Sequence, residues 1–365
     1  MLALPNECLF EIFTKLKNYN RCLFSCLLVN RQWCRNVVPI LWSGPVPFEN
    51  RKFIRTCLMA LNSEEKAELI PFNIFLPINV KLLFKYTSYI TTIKILSDDG
   101  IKKWLDLEGP PELAYHSDLN YIVRDAIETI RYSLVLMFLR TSNNIKDLKA
   151  YGMFYSKTTS LLIEIADKST TVTNLSFWKN RLGPEGTKLL AEALCKNSTL
   201  TFLDLWGNCI GPEGGKALAK ALYKNNSLTH LKLNNNQLGP DGGKALAKAL
   251  CENKSLISLD LWCNKLGPDG GKAFAETLCK NTALLSLDLS KNLLGFEGIK
   301  ALTKALCKNN TLTFLDLSEN QLDTKGGMEL AKALCMNTTL ASLKLCSNQI
   351  DDIILSQINA LLVRK

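Results

Sequence analysis

Few residues in this sequence of 365 residues have the types and spacing that catalysis requires. The two histidines, His116 and His230, have no serine or cysteine partner that the sequence places beside them. Cys22 and Cys26 share a helix face, but no CxxC pair or histidine accompanies them, which argues against a zinc site. No paired carboxylates stand out from the charged background. We therefore expect a non-catalytic protein with no cofactor and no metal.

One lysine motif superficially matches a phosphate-binding loop. Residues 214–217 read Gly-Gly-Lys-Ala, whereas that loop has the form G-x-x-x-x-G-K-[ST]. Ile210 stands where the first glycine belongs, and Ala217 replaces the hydroxyl residue that would bind magnesium. The same four residues recur at 242–245 and 270–273, so the motif is the consensus of an internal repeat.

That repeat is the strongest pattern in the sequence. Residues 200–210 show the form L-x-x-L-x-L-x-x-N-x-L, in which Leu203 and Leu205 alternate as in a short strand. Pro212 and Glu213 then fit the first turn of a helix. Seven units of 28 residues fill residues 170–365, and stacked units must bury one another's apolar sides. The asparagine of each unit, expected to turn inward and bond the backbone, is Asn180, Asn208, Asn236, Asn264, Asn292, Asn320 or Asn348.

This pattern resembles the ribonuclease-inhibitor type of leucine-rich repeat. The resemblance implies an α/β solenoid with a curved parallel sheet inside and helices outside. The last unit loses the Gly-Gly-Lys segment, as a capping repeat would. The resemblance says little about function, because this solenoid serves many binding roles.

The first 42 residues predict three short helices. Leu9, Ile12, Phe13 and Leu16 form one apolar helical face, a second apolar segment covers residues 23–29, and a third helix ends near Trp42. An ordinary helical cap on the solenoid would also give such stripes.

The spacing LP-x-E-x-L-x-x-I-F-x-x-L, then L-V-N-R-x-W-C-R and P-x-L-W, resembles the F-box. The resemblance implies docking on the Skp-type adaptor of a ubiquitin ligase and, through it, association with cullin and RING subunits. With the repeats, it implies a substrate receptor for a protein substrate, while other subunits transfer ubiquitin. The residues implied in adaptor binding or in the core that supports it are Leu4, Pro5, Leu9, Ile12, Phe13, Leu16, Val29, Trp33 and Trp42.

The sequence thus predicts three parts, an F-box at 1–45, a helical linker with irregular repeats at 46–169, and the seven repeats at 170–365. Within the linker, residues 119–137 predict an amphipathic helix, with Ser117 or Asp118 as its N-cap. Residues 90–95 and 145–150 fit decayed repeat strands.

A substrate site is expected on the inner wall of the solenoid, where strand residues flanking the core leucines point. Exposed tryptophans suit protein hot spots, and aspartates suit basic or hydrogen-bond-donating groups. The Leu-Asp-Leu pattern could equally be consensus copied by duplication. The candidate wall residues are Trp178, Phe202, Asp204, Trp206, His230, Asp260, Trp262, Asp288 and Asp316.

Charge and composition limit the other partners. The net charge of +10 divides into +4 for residues 1–169 and +6 for residues 170–365, with no basic run, so a nucleic-acid partner is not expected. No apolar run is long enough to span a membrane, and the N-terminus lacks the basic start of a signal peptide. Thirteen cysteines without CxxC pairs fit reduced thiols. These features predict a cytoplasmic or nuclear protein.

Two other classes of protein fit the repeats alone. One is an inhibitor-like binding solenoid. Its net charge should oppose that of a basic enzyme, whereas this chain carries +10. The other is a scaffold similar to leucine-rich-repeat activators of small GTPases, although the acidic tail of that family is absent here. Neither class accounts for the N-terminal pattern.

Overall fold

A computed structural model describes residues 4–77, 84–114, 121–152 and 157–363. The chain forms two compact units, Met1–Tyr151 and Gly152–Lys365. Ser117 and Asp118, predicted to cap a helix, lie outside the described residues. No described helix has both the length and the apolar character needed to cross a membrane.

The first unit begins with the three predicted helices and continues with mixed structure. The helix predicted from residues 119–137 is present as α7, and β1 and β2 pair in parallel with Ile93 beside Leu148. The elements are α1 Asn6–Lys15, α2 Asn20–Leu27, α3 Arg31–Trp42, α4 Arg51–Met59, α5 Ser63–Ala67, β1 Thr92–Ile95, α6 Asp99–Glu108, α7 Tyr121–Thr141 and β2 Asp147–Tyr151.

Helices α1 to α3 enclose a small core of their own. Leu9, Phe13, Leu23, Val37 and Ile40 are buried there, and Trp33 and Leu16 pack against them. The Phe13 and Trp33 rings meet edge to face with centroids 5.1 Å apart. Leu9, Phe13 and Leu16 of the predicted apolar stripe therefore form the inward face of α1, whereas Ile12 of the same stripe is exposed.

Two ion pairs join α7 to its neighbours in the first unit. Arg131 on α7 donates to Asp98, just before α6, through Nε at 2.8 Å and also through Nη2, and both side chains are buried. Arg140 near the end of α7 makes a paired contact with Glu65 of α5 at 2.9 and 2.8 Å. Breaking a buried pair leaves an uncompensated charge, so these bonds fix α7 against its neighbours.

The second unit repeats one strand and one helix. Its elements are α8 Lys157–Lys168, β3 Asn174–Trp178, α9 Gly183–Leu194, β4 Phe202–Asp204, α10 Gly211–Leu222, β5 His230–Lys232, α11 Gly239–Glu252, β6 Ser258–Asp260, α12 Gly267–Lys280, β7 Ser286–Asp288, α13 Gly295–Leu306, β8 Phe314–Asp316, α14 Thr324–Met336, β9 Ser342–Lys344 and α15 Asp352–Val363.

Strands β3 to β9 form a parallel sheet in sequence order, and every pair keeps the 28-residue register. Leu203, Leu231 and Leu259 lie side by side in this register and are buried, as are their counterparts along the sheet. Helices on one side and the sheet on the other enclose this core. The predicted α/β leucine-rich-repeat architecture, preceded by three short helices, is confirmed.

The repeat asparagines bond adjacent coils as predicted. Asn264 Oδ1 accepts the Asn236 N–H at 3.0 Å, and Asn264 Nδ2 donates to the carbonyls of Leu233 at 2.8 Å and Leu261 at 3.0 Å. Asn264 thus supplies hydrogen bonds to backbone groups that are buried away from water. The same pattern recurs from coil to coil along the sheet.

A second asparagine series closes the opposite end of each helix. Asn253 Nδ2 donates to the carbonyls of Leu222 at 2.7 Å and Asn225 at 3.1 Å, and its Oδ1 accepts the N–H of Leu256 at 2.9 Å. Each repeat is therefore tied to the preceding one at both ends. The described members of this series are Asn197, Asn225, Asn253, Asn281, Asn309 and Asn337.

Candidate functional site

The first candidate surface lies on the three N-terminal helices. Leu4, Ile12 and Val29 have 50, 47 and 56% of their surface exposed, and Pro5 is exposed as well. Large apolar side chains left in water on a domain this small suit a protein-binding surface. The predicted adaptor contacts among these four residues are therefore accessible to a partner.

The other predicted adaptor residues support this surface from within. Leu9 and Phe13 are buried in the core, Leu16 and Trp33 pack against that core, and the Trp42 ring lies 5.1 Å from Phe53. Leu9 and Phe13 therefore belong to the core that supports the surface rather than to its exposed residues, because three helices need their most regular stripe for their own core.

Sequence reasoning missed three apolar residues on the same domain. Phe10, Phe24 and Leu28 are 46, 59 and 88% exposed. Each lies next to a core or contact residue in the sequence but points away from the buried stripe. An apolar residue outside the helical period of the core is the sequence signal that identifies such positions.

Polar side chains of α3 hold the segment that carries Leu4 and Pro5. Gln32 Nε2 donates to the Leu4 carbonyl at 3.0 Å and to Asn6 Oδ1 at 3.2 Å, and Asn36 Nδ2 donates to Asn6 Oδ1 at 3.0 Å. We call Gln32, Asn36 and Asn6 the N-terminal clasp. The clasp fixes the position of two exposed residues that no core contact fixes.

The second candidate surface is the open face of the sheet formed by β3 to β9. Phe202 and His230 are paired in register, with ring centroids 6.2 Å apart. Asp260, Asp288 and Asp316 follow one another on β6, β7 and β8. The structure thus places an aromatic pair at one end of this face and an acidic row nearer the other.

The aspartates of this face also stabilise the turns after their strands. The carboxylates of Asp204, Asp260 and Asp316 accept the backbone N–H two residues further on, at 3.1, 3.2 and 2.9 Å. Asp204 and Asp316 are buried, so neither offers the open carboxylate expected from the sequence. Burial raises the pKa of Asp204, and hydrogen bonds from Trp178 and Trp206 oppose that rise.

Asp288 lies at the centre of the acidic row. Desolvation, followed by the charges of Asp260 and Asp316, raises its pKa to about 6, although Ser290 donates to it through both N–H and hydroxyl. The like charges expected from the sequence do face one another, which makes this row electrostatically costly. Such a row attracts a cation.

Four aromatic rings of the face lie beneath a lysine. Lys179 lies 4.7 Å from the Trp206 ring and Lys291 lies 5.4 Å from the Trp262 ring. Lys232 and Lys344 lie over the phenylalanine rings of the same face, at 5.9 and 5.2 Å. Trp178, Trp206 and Trp262 are half-buried. Trp206 and Trp262 are thus accessible and already contact lysine ammonium groups.

The described residues contain no group of three or more histidine, cysteine, aspartate or glutamate side chains suited to holding a metal ion. His230, on the open sheet face, shares a hydrogen bond of 2.9 Å between its Nδ1 and Thr229 Oγ1. His116 lies outside the described residues.

Comparison with known protein families gives matches for two parts of the chain. Residues 1–46 match an F-box-like family, and a leucine-rich-repeat family matches residues 196–219, 224–247, 252–275, 280–302 and 308–331. The protein therefore has an F-box-like domain at its N-terminus followed by leucine-rich repeats. A comparison with curated proteins finds no match.

The solved structures that this chain is similar to include three proteins. The leucine-rich-repeat protein LegL7 from Legionella pneumophila is 19% identical, with a TM-score of 0.50, and the match covers 84% of this chain and 97% of that one. Leiomodin-1 actin-binding site 2 is 26% identical, with 42 and 87% covered and a TM-score of 0.38. The tropomodulin C-terminal domain from Caenorhabditis elegans is 12% identical, with 49 and 92% covered and a TM-score of 0.34. The LegL7 likeness concerns the fold alone.

Proposed function

We propose that this protein is the substrate-recognition subunit of a cullin-type ubiquitin ligase. Its F-box-like domain docks on a Skp-type adaptor, which connects it to the cullin and RING subunits, and its repeats bind a protein substrate. The chain itself transfers no ubiquitin and needs no cofactor. It works in the cytoplasm, the nucleus or both.

The observation that carries this proposal is the exposed apolar surface of the F-box-like domain. Leu4, Ile12, Phe24 and Leu28 remain exposed, although five other apolar residues of the same domain form a buried core. Burying an apolar side chain of this size yields about 1.5–3 kcal/mol. A partner that covers these residues therefore gains binding energy that the isolated domain leaves unused.

The repeats supply the complementary half of the proposal. F-box-like and leucine-rich-repeat modules are typically binding modules, and the open sheet face carries aromatic anchors of the kind that dominate protein interfaces. We assign substrate binding to Trp178, Phe202, Trp206, His230 and Trp262 together with the acidic row. Residues 46–169 act as the linker between the adaptor-binding and substrate-binding parts.

Co-purification with a Skp-type adaptor tests the proposal. We expect the intact protein to retain the adaptor and the L4A/P5A/I12A variant to lose it, because that variant removes exposed contacts and leaves the core intact. L189A/M336A/I353A is the matched control, since it also removes three exposed apolar side chains, all from the repeats. If the intact protein fails to bind the adaptor, the ligase assignment is wrong. The protein is then assigned to another class of repeat-based binding proteins.

A further inference from the structure

The acidic row on the open sheet face is only partly neutralised by the protein's own lysines. Asp316 lies 3.9 Å from Lys344 Nζ. In the part of the chain that the structure describes, neither Asp260 nor Asp288 forms an ion pair. Neighbouring strands lie about 4.8 Å apart, so the carboxylates of Asp260 and Asp288 are neighbours, and neither is paired with a cation.

The same face already binds ammonium groups in a recurring way. Lys344 lies 5.2 Å from the centre of the Phe314 ring and contacts the Asp316 carboxylate. Lys291 lies 5.4 Å from the Trp262 ring and 3.5 Å from Glu319. In both places a ring and a carboxylate hold one cation between them. Both lysine side chains are about half exposed, at 56 and 48%, so a competing cation can reach these sites.

The hydrogen bonding of Asp260 and Asp288 favours a cationic ligand. One oxygen of each carboxylate accepts the N–H of its own turn, from Trp262 in the case of Asp260 and from Ser290 in the case of Asp288. The second oxygen of each accepts no hydrogen bond from the described residues. A guanidinium or ammonium group placed there would pair with these oxygens and remove the repulsion between the two charges.

Building on the proposed function, we propose that the substrate segment recognised by this face is basic. It is an extended stretch with two arginine or lysine side chains two residues apart, which crosses β6 and β7. Side chains two residues apart in an extended chain lie on the same face about 7 Å apart, and long flexible side chains can converge on Asp260 and Asp288, which lie on neighbouring strands. Trp262 and Phe314 flank the stretch. A nucleic-acid backbone would meet the same carboxylates with like charge and be repelled.

Fluorescence anisotropy with a defined peptide probe tests this inference on the full chain. The probe is a fluorescein-labelled glycine–serine peptide with two arginines two residues apart, and the reference peptides carry glutamine or glutamate at the same positions. We expect the arginine peptide to bind at least tenfold more tightly than either reference. The D260N/D288N variant should bind the arginine peptide about tenfold more weakly and so lose the preference for it. Raised salt should weaken the binding of the arginine peptide to the unmodified protein.

D241N is the matched control, because it makes the same chemical change on helix α11, away from the sheet face. It should leave the arginine peptide's affinity unchanged. Equal binding of the arginine and glutamine peptides, or an unchanged affinity in D260N/D288N, would overturn the inference. Adaptor co-purification is scored separately on the same samples. Adaptor binding without arginine preference refutes only this inference, whereas arginine preference without adaptor binding refutes only the ligase assignment.

Discussion

At the residue scale, Asp288 sets a pH dependence that can be measured. Its pKa is about 6 in the folded protein and 3.8 in the unfolded chain, so the folded state holds a proton that the unfolded state releases between these values. Stability therefore falls as pH rises from about 4 to 6 and stays reduced above that. The pKa difference corresponds to at most about 3 kcal/mol, and solvent screening reduces it to about 1–2 kcal/mol.

The D288N substitution should therefore stabilise the protein above pH 6 by about 1–2 kcal/mol. The amide oxygen can still accept the Ser290 N–H, while the charge that Asp260 and Asp316 oppose is gone. Urea unfolding followed by circular dichroism at pH 4 and pH 7 measures the effect. A gain of equal size at both pH values would show that the charge of Asp288 is not its cause.

The asparagines allow a second residue-scale prediction. Replacing Asn264 with alanine removes the acceptor of the buried N–H groups of Asn236 and Leu238, whereas the carbonyls of Leu233 and Leu261 keep the Nδ2 groups of Asn236 and Asn292 as donors. Each orphaned N–H costs about 1–3 kcal/mol, so N264A should destabilise the repeats by about 2 kcal/mol or more. The free energy of unfolding from urea titration gives the value.

Asn234 provides the control for that experiment. It lies on the open face, and its own buried Oδ1 has no hydrogen-bond partner, so N234A removes an amide that supports no other group. We expect its cost to stay below about 0.5 kcal/mol. Similar losses in N264A and N234A would contradict the structural role assigned to the inward-turned series.

How far the sequence predicts such roles depends on the signal that each residue leaves. Asn264 was identifiable because it ends a leucine pattern at a fixed spacing. Asn253 has the same 28-residue period, yet it follows a helix in a polar segment, where asparagine is common in any turn. Asp204 is a residue whose type predicts more than the fold allows. An aspartate on a strand suggests an exposed carboxylate, but in the fold this carboxylate is buried and accepts the N–H of Trp206 in the following turn.

At the scale of elements, the N-terminal clasp links α3 to the adaptor surface. The Q32A/N36A double variant removes three hydrogen bonds that hold Leu4 and Asn6 and leaves every core residue unchanged. The segment with Leu4 and Pro5 then becomes more mobile, and ordering it on binding costs entropy. We expect adaptor affinity to fall by about threefold to tenfold, as measured by calorimetry.

A role in positioning is distinguished from a role in stability by a second measurement. Hydrogen exchange should speed up at residues 4–8, while the melting temperature moves by less than about 3 °C. S25A, which also removes an exposed side-chain hydrogen bond to a helix carbonyl in the same domain, should leave adaptor affinity unchanged. Unchanged affinity in Q32A/N36A would exclude the clasp from adaptor binding.

At the scale of the whole molecule, total charge is a poor guide to binding. The protein carries +10, yet three consecutive strands of its sheet each carry an aspartate at the same register position. Lysines on the helices, such as Lys216 paired with Glu213 at 2.7 Å, belong to exposed helical surfaces. The sequence predicted the fold because 28-residue periodicity is a long-range signal, whereas the properties of each surface depend on which strand residues become neighbours.

The two binding functions should separate cleanly by mutation, because each unit has its own buried core. An I12E substitution places a charge on the adaptor surface and should abolish adaptor co-purification while leaving arginine-peptide affinity within twofold. D260N/D288N should do the reverse. Since interactions between separate cores without shared partners are additive, the combined variant should lose both activities by the same factors as the single ones. Loss of peptide binding in I12E would show instead that the two surfaces are energetically coupled.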